Sequence, residues 1–186
     1  SRSGELLGID MQVVSDTGAY GSHSLTVTGS SGYKTLPLYA ARALRYSCEA
    51  AYTNHPPAGA LRGYGAPQGF FALESAIDEL ALETGCDPLE FRRRNLTGAG
   101  AVDRVSAVLE TMGKGRTRSL NSYGLGECIE RGAAAVGWER RAALPRTGEL
   151  RRGIGMALAM QSSGIAGVDW GAAAVKLNED GSWNLT

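Results

Sequence analysis

The sequence contains no apolar run approaching the roughly 18 residues of a membrane-spanning helix, and no charged, apolar and small-residue succession opens it as a secretory signal does. Charge of one sign is also missing. Its 19 Lys and Arg balance 19 Asp and Glu, which removes the electrostatic case for a nucleic acid or an anionic membrane surface as partner. Cysteine is sparse: Cys48, Cys86 and Cys128 lie far apart without a Cys-x-x-Cys pair, which argues against an iron–sulfur cluster or structural zinc built by this chain alone. Three buried free thiols and a reducing, cytoplasmic setting are the expectation. With two histidines, His23 and His55, and no Gly-x-Ser-x-Gly, a serine or cysteine hydrolase has little support, and each histidine is expected in a surface or structural role. A Walker A loop is absent as well, since Gly113-Lys114-Gly115 is too short.

Glycine, by contrast, is plentiful. Its 26 copies mark places where the backbone turns tightly or where something approaches it closely. The 186 residues suffice for one domain or two small lobes. A first residue of Ser1 and a strand-like run ending at Thr186 suggest a fragment of a longer protein.

Residues 6–14 alternate, with Leu7, Ile9, Met11 and Val13 of one parity, which predicts a half-buried strand. The stretch 15–31 is rich in Gly and Ser and is expected to be a loop holding a short strand at 25–28. A second strand is predicted over 46–53. Pro67 suits the first turn of a helix running to about Thr84, on which Phe70, Leu73, Ile77, Leu80 and Ala81 form one apolar stripe. Glu74, Asp78 and Glu79 fall on its polar face and are expected to be solvated. Asp87-Pro88-Leu89-Glu90 supplies a cap, a first-position proline and an acidic third position for a short helix through Arg94. The Arg92–Arg94 and Arg151-Arg152 runs are expected on solvated faces or in structural ion pairs. A polar, glycine-rich linker is expected at 97–118 and a third helix over 125–140, burying Leu125, Cys128, Ile129, Ala133 and Val136. Strands follow at 153–161, 172–177 and 182–186, the last two joined by the hairpin signal Asn178-Glu179-Asp180-Gly181. The fold class is α+β.

The most unusual stretch is Gly59-Ala60-Leu61-Arg62-Gly63-Tyr64-Gly65-Ala66-Pro67-Gln68-Gly69, a glycine-rich turn feeding a helix N-terminus. Unpaired backbone N–H groups and the positive end of the helix dipole suit an anion or a polar cofactor edge there. Arg62 adds a fixed charge, Tyr64 an aromatic face, and Gly63 and Gly65 allow close approach. The Gly-x-Gly-x-x-x-Gly spacing misses the dinucleotide fingerprint by one residue, and a structural turn with a charged rim explains the same residues. Gln161-Ser162-Ser163-Gly164-Ile165-Ala166-Gly167 could line a pocket or merely connect strands. Gly21-Ser22-His23-Ser24 and Gly29-Ser30-Ser31-Gly32 are weaker versions of that pattern.

The run from Tyr52 through Thr53-Asn54-His55-Pro56-Pro57 to Leu61-Arg62-Gly63-Tyr64-Gly65-Ala66-Pro67-Gln68 resembles the molybdopterin-binding subunit of the xanthine dehydrogenase/aldehyde oxidase family. In that family a Thr-Asn-x-Pro stretch leads into an Arg-Gly-aromatic-Gly-x-Pro-Gln turn. Gly85-Cys86-Asp87-Pro88-Leu89-Glu90-Phe91-Arg92 matches its continuation, Asp16-Thr17-Gly18-Ala19-Tyr20 its opening, and Lys176-Leu177-Asn178-Glu179-Asp180-Gly181-Ser182 its later hairpin turn.

This resemblance implies an incomplete molybdenum-cofactor-binding domain, with 1–96 in a first lobe, 97–118 a linker and 119–186 the start of a second lobe. It places Arg62 beside the molybdenum centre, contributing mainly backbone, with Gly63 and Gly65 also binding the cofactor. Tyr64 would stack on a small-molecule substrate, and Gln161, Ser162 and Ser163 would line the pocket's other side. The implied cofactor is molybdopterin, in a dinucleotide form, and the implied reaction is hydroxylation of a heteroaromatic (purine-like) or aldehyde substrate with water as oxygen source. Electrons would leave through iron–sulfur clusters to FAD on partner chains or domains. The family's Gly-Gly-Gly-Phe-Gly-Gly-like loop, its Gly-Gln-Gly loop and its catalytic glutamate have no counterpart here. The pairs Gly4-Glu5, Gly126-Glu127 and Gly148-Glu149 lack the surrounding pattern, so no catalytic residue is assigned, and the segment alone is expected to be inactive without the remainder of the subunit. The alternative is a non-catalytic binding or assembly module on the same scaffold.

Overall fold

Two long strands carry the first half of the chain. The computed structural model describes residues 1–144, 147, 149–161 and 171–186. In it β1 (Gly8–Gly18) pairs in parallel with β2 (Ala43–Tyr52), from Gly8 opposite Ala43 to Asp16 opposite Ala51, with an irregularity before Gly18 meets Tyr52. Both strands were expected, β1 alternates in burial as predicted, and both run longer than predicted. Parallel strands need a crossover, and here it is α1 (Ser24–Tyr33), followed by a 3-10 turn at Leu36–Leu38.

Helix α1 replaces the predicted loop and its strand at 25–28. Its sequence shows no apolar stripe because the buried face is built from small polar residues: Ser24, Thr28, Ser31 and Gly32. Ser24 Oγ donates to Ala58 O at 3.3 Å, and the other hydroxyls of this face find acceptors within the helix itself. Thr28 Oγ1 donates to Ser24 O at 2.7 Å, Ser30 Oγ to Thr26 O at 2.8 Å and Ser31 Oγ to Thr28 O at 2.6 Å. A face of this kind can be buried at little polar cost and lets neighbours come close. The Gly29-Ser30-Ser31-Gly32 stretch therefore belongs to this helix, not to a pocket-lining loop, whereas of Gly21-Ser22-His23-Ser24 only Ser24 lies within it.

Helix α2 (Ala66–Glu83) buries Phe70, Leu73, Ile77 and Ala81 as expected, while Leu80 stays exposed. Asp87 caps α3 (Pro88–Asn95), its carboxylate accepting from the N–H groups of Leu89 and Glu90. Helix α4 (Arg104–Thr111) occupies part of the stretch read as a polar linker, capped by Asp103, with a bridge between Val102 and Ser119 beside it. Helix α5 (Leu125–Val136) ends earlier than predicted, because Gly137 takes a left-handed φ of 72°, and a 3-10 segment, Trp138–Ala143, follows. Ile129 is its one residue in the core; Leu125 and Ala133 are half-buried, and Cys128 and Val136 are exposed. The thiols are accordingly half-buried at Cys48 and Cys86 and open to solvent at Cys128, not all buried.

Residues 153–161 alternate in burial as a strand would, with Leu158 inside, but make no ladder among the described residues. The strand expected there has the side-chain pattern without the pairing. The hairpin is present: β3 (Val175–Leu177) pairs antiparallel with β4 (Trp183–Leu185) around a turn in which Gly181 has φ 80°. No helix among the described residues is long and apolar enough to cross a membrane.

A buried charge cluster joins these pieces. Arg92 is 0 % exposed and takes up the ion-pair role, one of the two expected of its run, while Glu74 is 4 % exposed, against the expectation of a solvated face. Arg92 Nε donates to Glu74 Oε2 at 2.8 Å and its Nη1 to Asp78 Oδ1 at 2.7 Å. Tyr39 Oη donates to Glu74 Oε1 at 2.6 Å, and the Leu158 N–H to Glu74 Oε2 at 2.8 Å. Burial first, then the adjacent Glu74 carboxylate, pushes the Tyr39 phenol far up, so it stays a donor. One carboxylate thus binds α2, α3, the segment after the 3-10 turn and the 153–161 stretch.

Candidate functional site

The C-terminal ends of β1 and β2 set the course of the chain into the glycine-rich turn. At the end of β1, Asp16 accepts from Thr53 Oγ1 at 2.6 Å and from the Gly18 N–H at 2.7 Å, and pairs with His55 Nδ1. These hydrogen bonds, from Thr53, then Gly18, then His55, hold its carboxyl down from 3.8 to about 2. Backbone bonds from Thr53 N to Gly18 O, Ala19 N to His55 O and Ala58 N to Thr17 O, each 3.2 Å, strap residues 53–58 along the same strand end. His55 therefore has the structural role expected of it. Gly18 is required here, since a Cβ on it would stand 2.4 Å from Pro56 O.

The turn itself holds three consecutive residues of positive φ: Gly63 at 99°, Tyr64 at 44° and Gly65 at 84°. Tyr64 N donates to Leu61 O at 2.8 Å and Ala66 N to Gly63 O at 3.1 Å, which closes the backbone on itself before α2 begins. Gly65 is the residue preceding α2, and its missing side chain has a specific cause. A Cβ there would lie 2.1 Å from Val27 O and 2.9 Å from Ser31 N, so the backbone of α1 occupies that space. The glycine spacing thus serves a helix–turn contact inside the protein as well as the left-handed backbone.

Arg62 stands exposed on the rim of this turn. The N–H groups of Gly65 and Gln68, at the positive end of α2, find no acceptor among the described residues. Tyr64 is half-buried. Its hydroxyl meets His23 Nδ1 at 3.0 Å, with the two rings edge to face at 6.1 Å and 82°. Lys34, next after α1, donates its ammonium to Gly63 O and Tyr64 O, each at 3.3 Å, and lies over the Tyr64 ring at 5.4 Å from its centre.

Arg62, Gly63, Tyr64 and Gly65 are thus together on one turn. Gln161 is exposed, at the end of the stretch that Leu158 ties to Glu74 of α2, while Ser162 and Ser163 lie outside the described residues. Sequence reasoning passed over Lys34 and gave His23 only a surface or structural role. Both are brought to Tyr64 by α1, the helix whose polar face carried no readable periodicity. Among the described residues no group of three or more His, Cys, Asp or Glu could hold a metal ion directly. The donor set at the turn, an arginine with unpaired N–H groups at a helix start, suits instead an anionic or oxygen-rich cofactor edge.

A strand–helix–strand unit thus leads through a left-handed turn into a helix N-terminus, an arrangement suited to an anionic ligand. Over its whole length the chain superposes on part of the aldehyde oxidoreductase from Desulfovibrio gigas, with a TM-score of 0.80, 26 % identity and 19 % of that chain covered. The aldehyde oxidoreductase from Desulfovibrio desulfuricans gives a TM-score of 0.77 and 29 % identity, again over 100 % of this chain and 19 % of that one. Residues 1–96, more than half of the sequence, match the molybdopterin cofactor-binding domain, and the chain belongs to that family. It is 39 % identical over 189 aligned residues to the xanthine dehydrogenase molybdenum-binding subunit of Escherichia coli O157:H7. That alignment takes in 100 % of this chain and 24 % of the relative, so the chain spans about a quarter of the relative's length.

Proposed function

We propose that this chain is the segment of a molybdenum hydroxylase that forms one wall of the cofactor and substrate site. The enzyme would oxidise a heteroaromatic, purine-like molecule or an aldehyde, take its oxygen from water, and pass electrons to iron–sulfur clusters and FAD on partner chains or domains. The observation that carries this reading is the Arg62–Gly65 turn, which sets a cation, unpaired N–H donors and an aromatic ring at the head of α2. In this arrangement Arg62 and the backbone of Gly63 and Gly65 hold molybdopterin, in its dinucleotide form, by charge and hydrogen bonding. The cofactor, when bound, supplies two-electron redox chemistry and the water-derived oxygen. Tyr64 orients a planar substrate by stacking, worth about 0.5–1.5 kcal/mol, and Gln161, Ser162 and Ser163 close the pocket from its other side. Residues 1–96 would belong to a first lobe and 119–186 to the start of a second, joined through 97–118. No side chain of the segment is assigned as general base; the remainder of the subunit supplies it.

The test is turnover by the full-length enzyme with its partners, in isotopically labelled water, on purine, nicotinate-type and aldehyde substrates. Label should enter the product, and Tyr64→Ala should raise KM for planar substrates up to about tenfold while kcat moves less than about twofold. If the molybdenum-loaded complex turns over none of the three classes, the reading fails in favour of a binding or assembly module.

A further inference from the structure

Lys34 is 8 % exposed, and among the described residues both hydrogen bonds of its ammonium go to the turn. The Gly63 and Tyr64 carbonyls accept from it at 3.3 Å and the Tyr64 ring lies beneath it, while it makes no salt bridge among the described residues. A charge this far from water is retained only where other groups replace its hydration. Here two carbonyls and a π face do so, and all three belong to Gly63 and Tyr64. The lysine therefore fixes the backbone of the turn and one face of the ring together. Tyr64 needs such support. Among the described residues it is one of two non-glycine residues with positive φ, the other being Ser22, and a residue with a Cβ holds that conformation only when its surroundings impose it.

His23 acts from the other end of the same helix. It directly precedes α1, as Lys34 directly follows it, and its Nδ1 meets the Tyr64 hydroxyl at 3.0 Å. The helix in between is pressed onto the turn, with Val27 O and Ser31 N filling the space beside Gly65 and Ser31 O that beside Gly69. The ring is held at its hydroxyl, on one face and through its own backbone, all by one element.

We propose that Lys34 and His23 are positioning residues that set Tyr64 so that its opposite face stacks on a planar substrate. This rests on the reading of Tyr64 as a substrate-binding residue. Neither side chain touches the reacting atoms, so their loss acts on substrate binding through Tyr64 and not on the chemical step.

The test uses the full-length holoenzyme with its partners and the variants Lys34→Met, His23→Phe and Tyr64→Ala, singly and combined. Lys34→Met keeps the length of the side chain without its charge, and His23→Phe keeps a ring without its hydrogen bond. The expected result is a KM for a planar heteroaromatic substrate raised about three- to tenfold by Lys34→Met and about threefold by His23→Phe, with kcat within about twofold and molybdenum content unchanged. Both effects should vanish in the Tyr64→Ala background, because the interaction they serve is gone. Increases that persist without Tyr64, or an unchanged KM in both single variants while Tyr64→Ala raises it, overturn the proposal alone. An unchanged KM in Tyr64→Ala across several planar substrates overturns the underlying reading of the site. Should Lys34→Met fail to fold, His23→Phe, at an exposed position, decides the same question.

Discussion

Arg92 carries a full charge with no exposed surface, and its surroundings explain why it is tolerated. Glu74 and Asp78 provide opposite charges, Pro88 O accepts from its Nη1 at 3.2 Å, and the remaining lone pairs of Glu74 are used by Tyr39 and Leu158. Breaking such a cluster from one side leaves a buried carboxylate without its cation. Arg92→Met should therefore destabilise the protein by about 3–5 kcal/mol, and Arg92→Met with Glu74→Met by less, since both charges leave together. Unfolding midpoints of the full-length protein check this; a double variant as unstable as the single one contradicts it. An ion pair at Arg92 was one of the two roles expected of its run, but neither its burial nor its partner was legible in the sequence. A carboxylate on the polar side of a helical pattern reads as solvated, and its partner lies 18 residues away on another helix. The site residues divide in the same way. Arg62, Gly63, Tyr64 and Gly65 are adjacent in sequence and could be picked out as a unit, whereas Lys34 and His23 reach Tyr64 across 30 and 41 residues.

At the scale of elements, what could be read depended on which force forms each one. Helix α2 has an apolar stripe, α3 a proline and a capping aspartate, and the hairpin an Asp-Gly turn, all of them local signals. Helix α1 has none, because it is held by close approach and not by apolar area. Its contact with α2 makes a prediction in which two opposing effects can be compared. Ala in place of Gly within a helix is ordinarily favourable by about 1 kcal/mol. At Gly69, however, the new Cβ would stand 2.2 Å from Ser31 O and 2.7 Å from Thr35 Cγ2, backbone and a buried side chain that cannot swing aside. Overpacking of this kind costs about 1–3 kcal/mol or more and outweighs the propensity gain. Gly69→Ala should lower the unfolding temperature, while Gly132→Ala in α5, with open space around its Cβ, should leave it unchanged or raise it. Equal effects at the two positions would show that α1 and α2 are not in contact through Gly69. The 153–161 stretch illustrates the converse: alternation along a chain reports which side chains are buried, not whether a neighbouring strand pairs with it.

At the scale of the whole molecule, family membership and proposed activity stand on different amounts of structure. Residues 1–96 match the molybdopterin cofactor-binding domain, while the chain covers 24 % of the xanthine dehydrogenase subunit it resembles. Under the proposed function the turn before α2 would offer one edge of a cofactor site, with the general base and the rest of the cage supplied by the remainder of the subunit. The most direct test is the molybdenum content of the native, fully assembled complex that carries this chain, measured by elemental analysis. About one molybdenum per copy of the full-length subunit is expected, released together with a pterin on denaturation. A complete, correctly assembled complex without molybdenum would contradict it and leave the turn a structural feature of a non-catalytic scaffold.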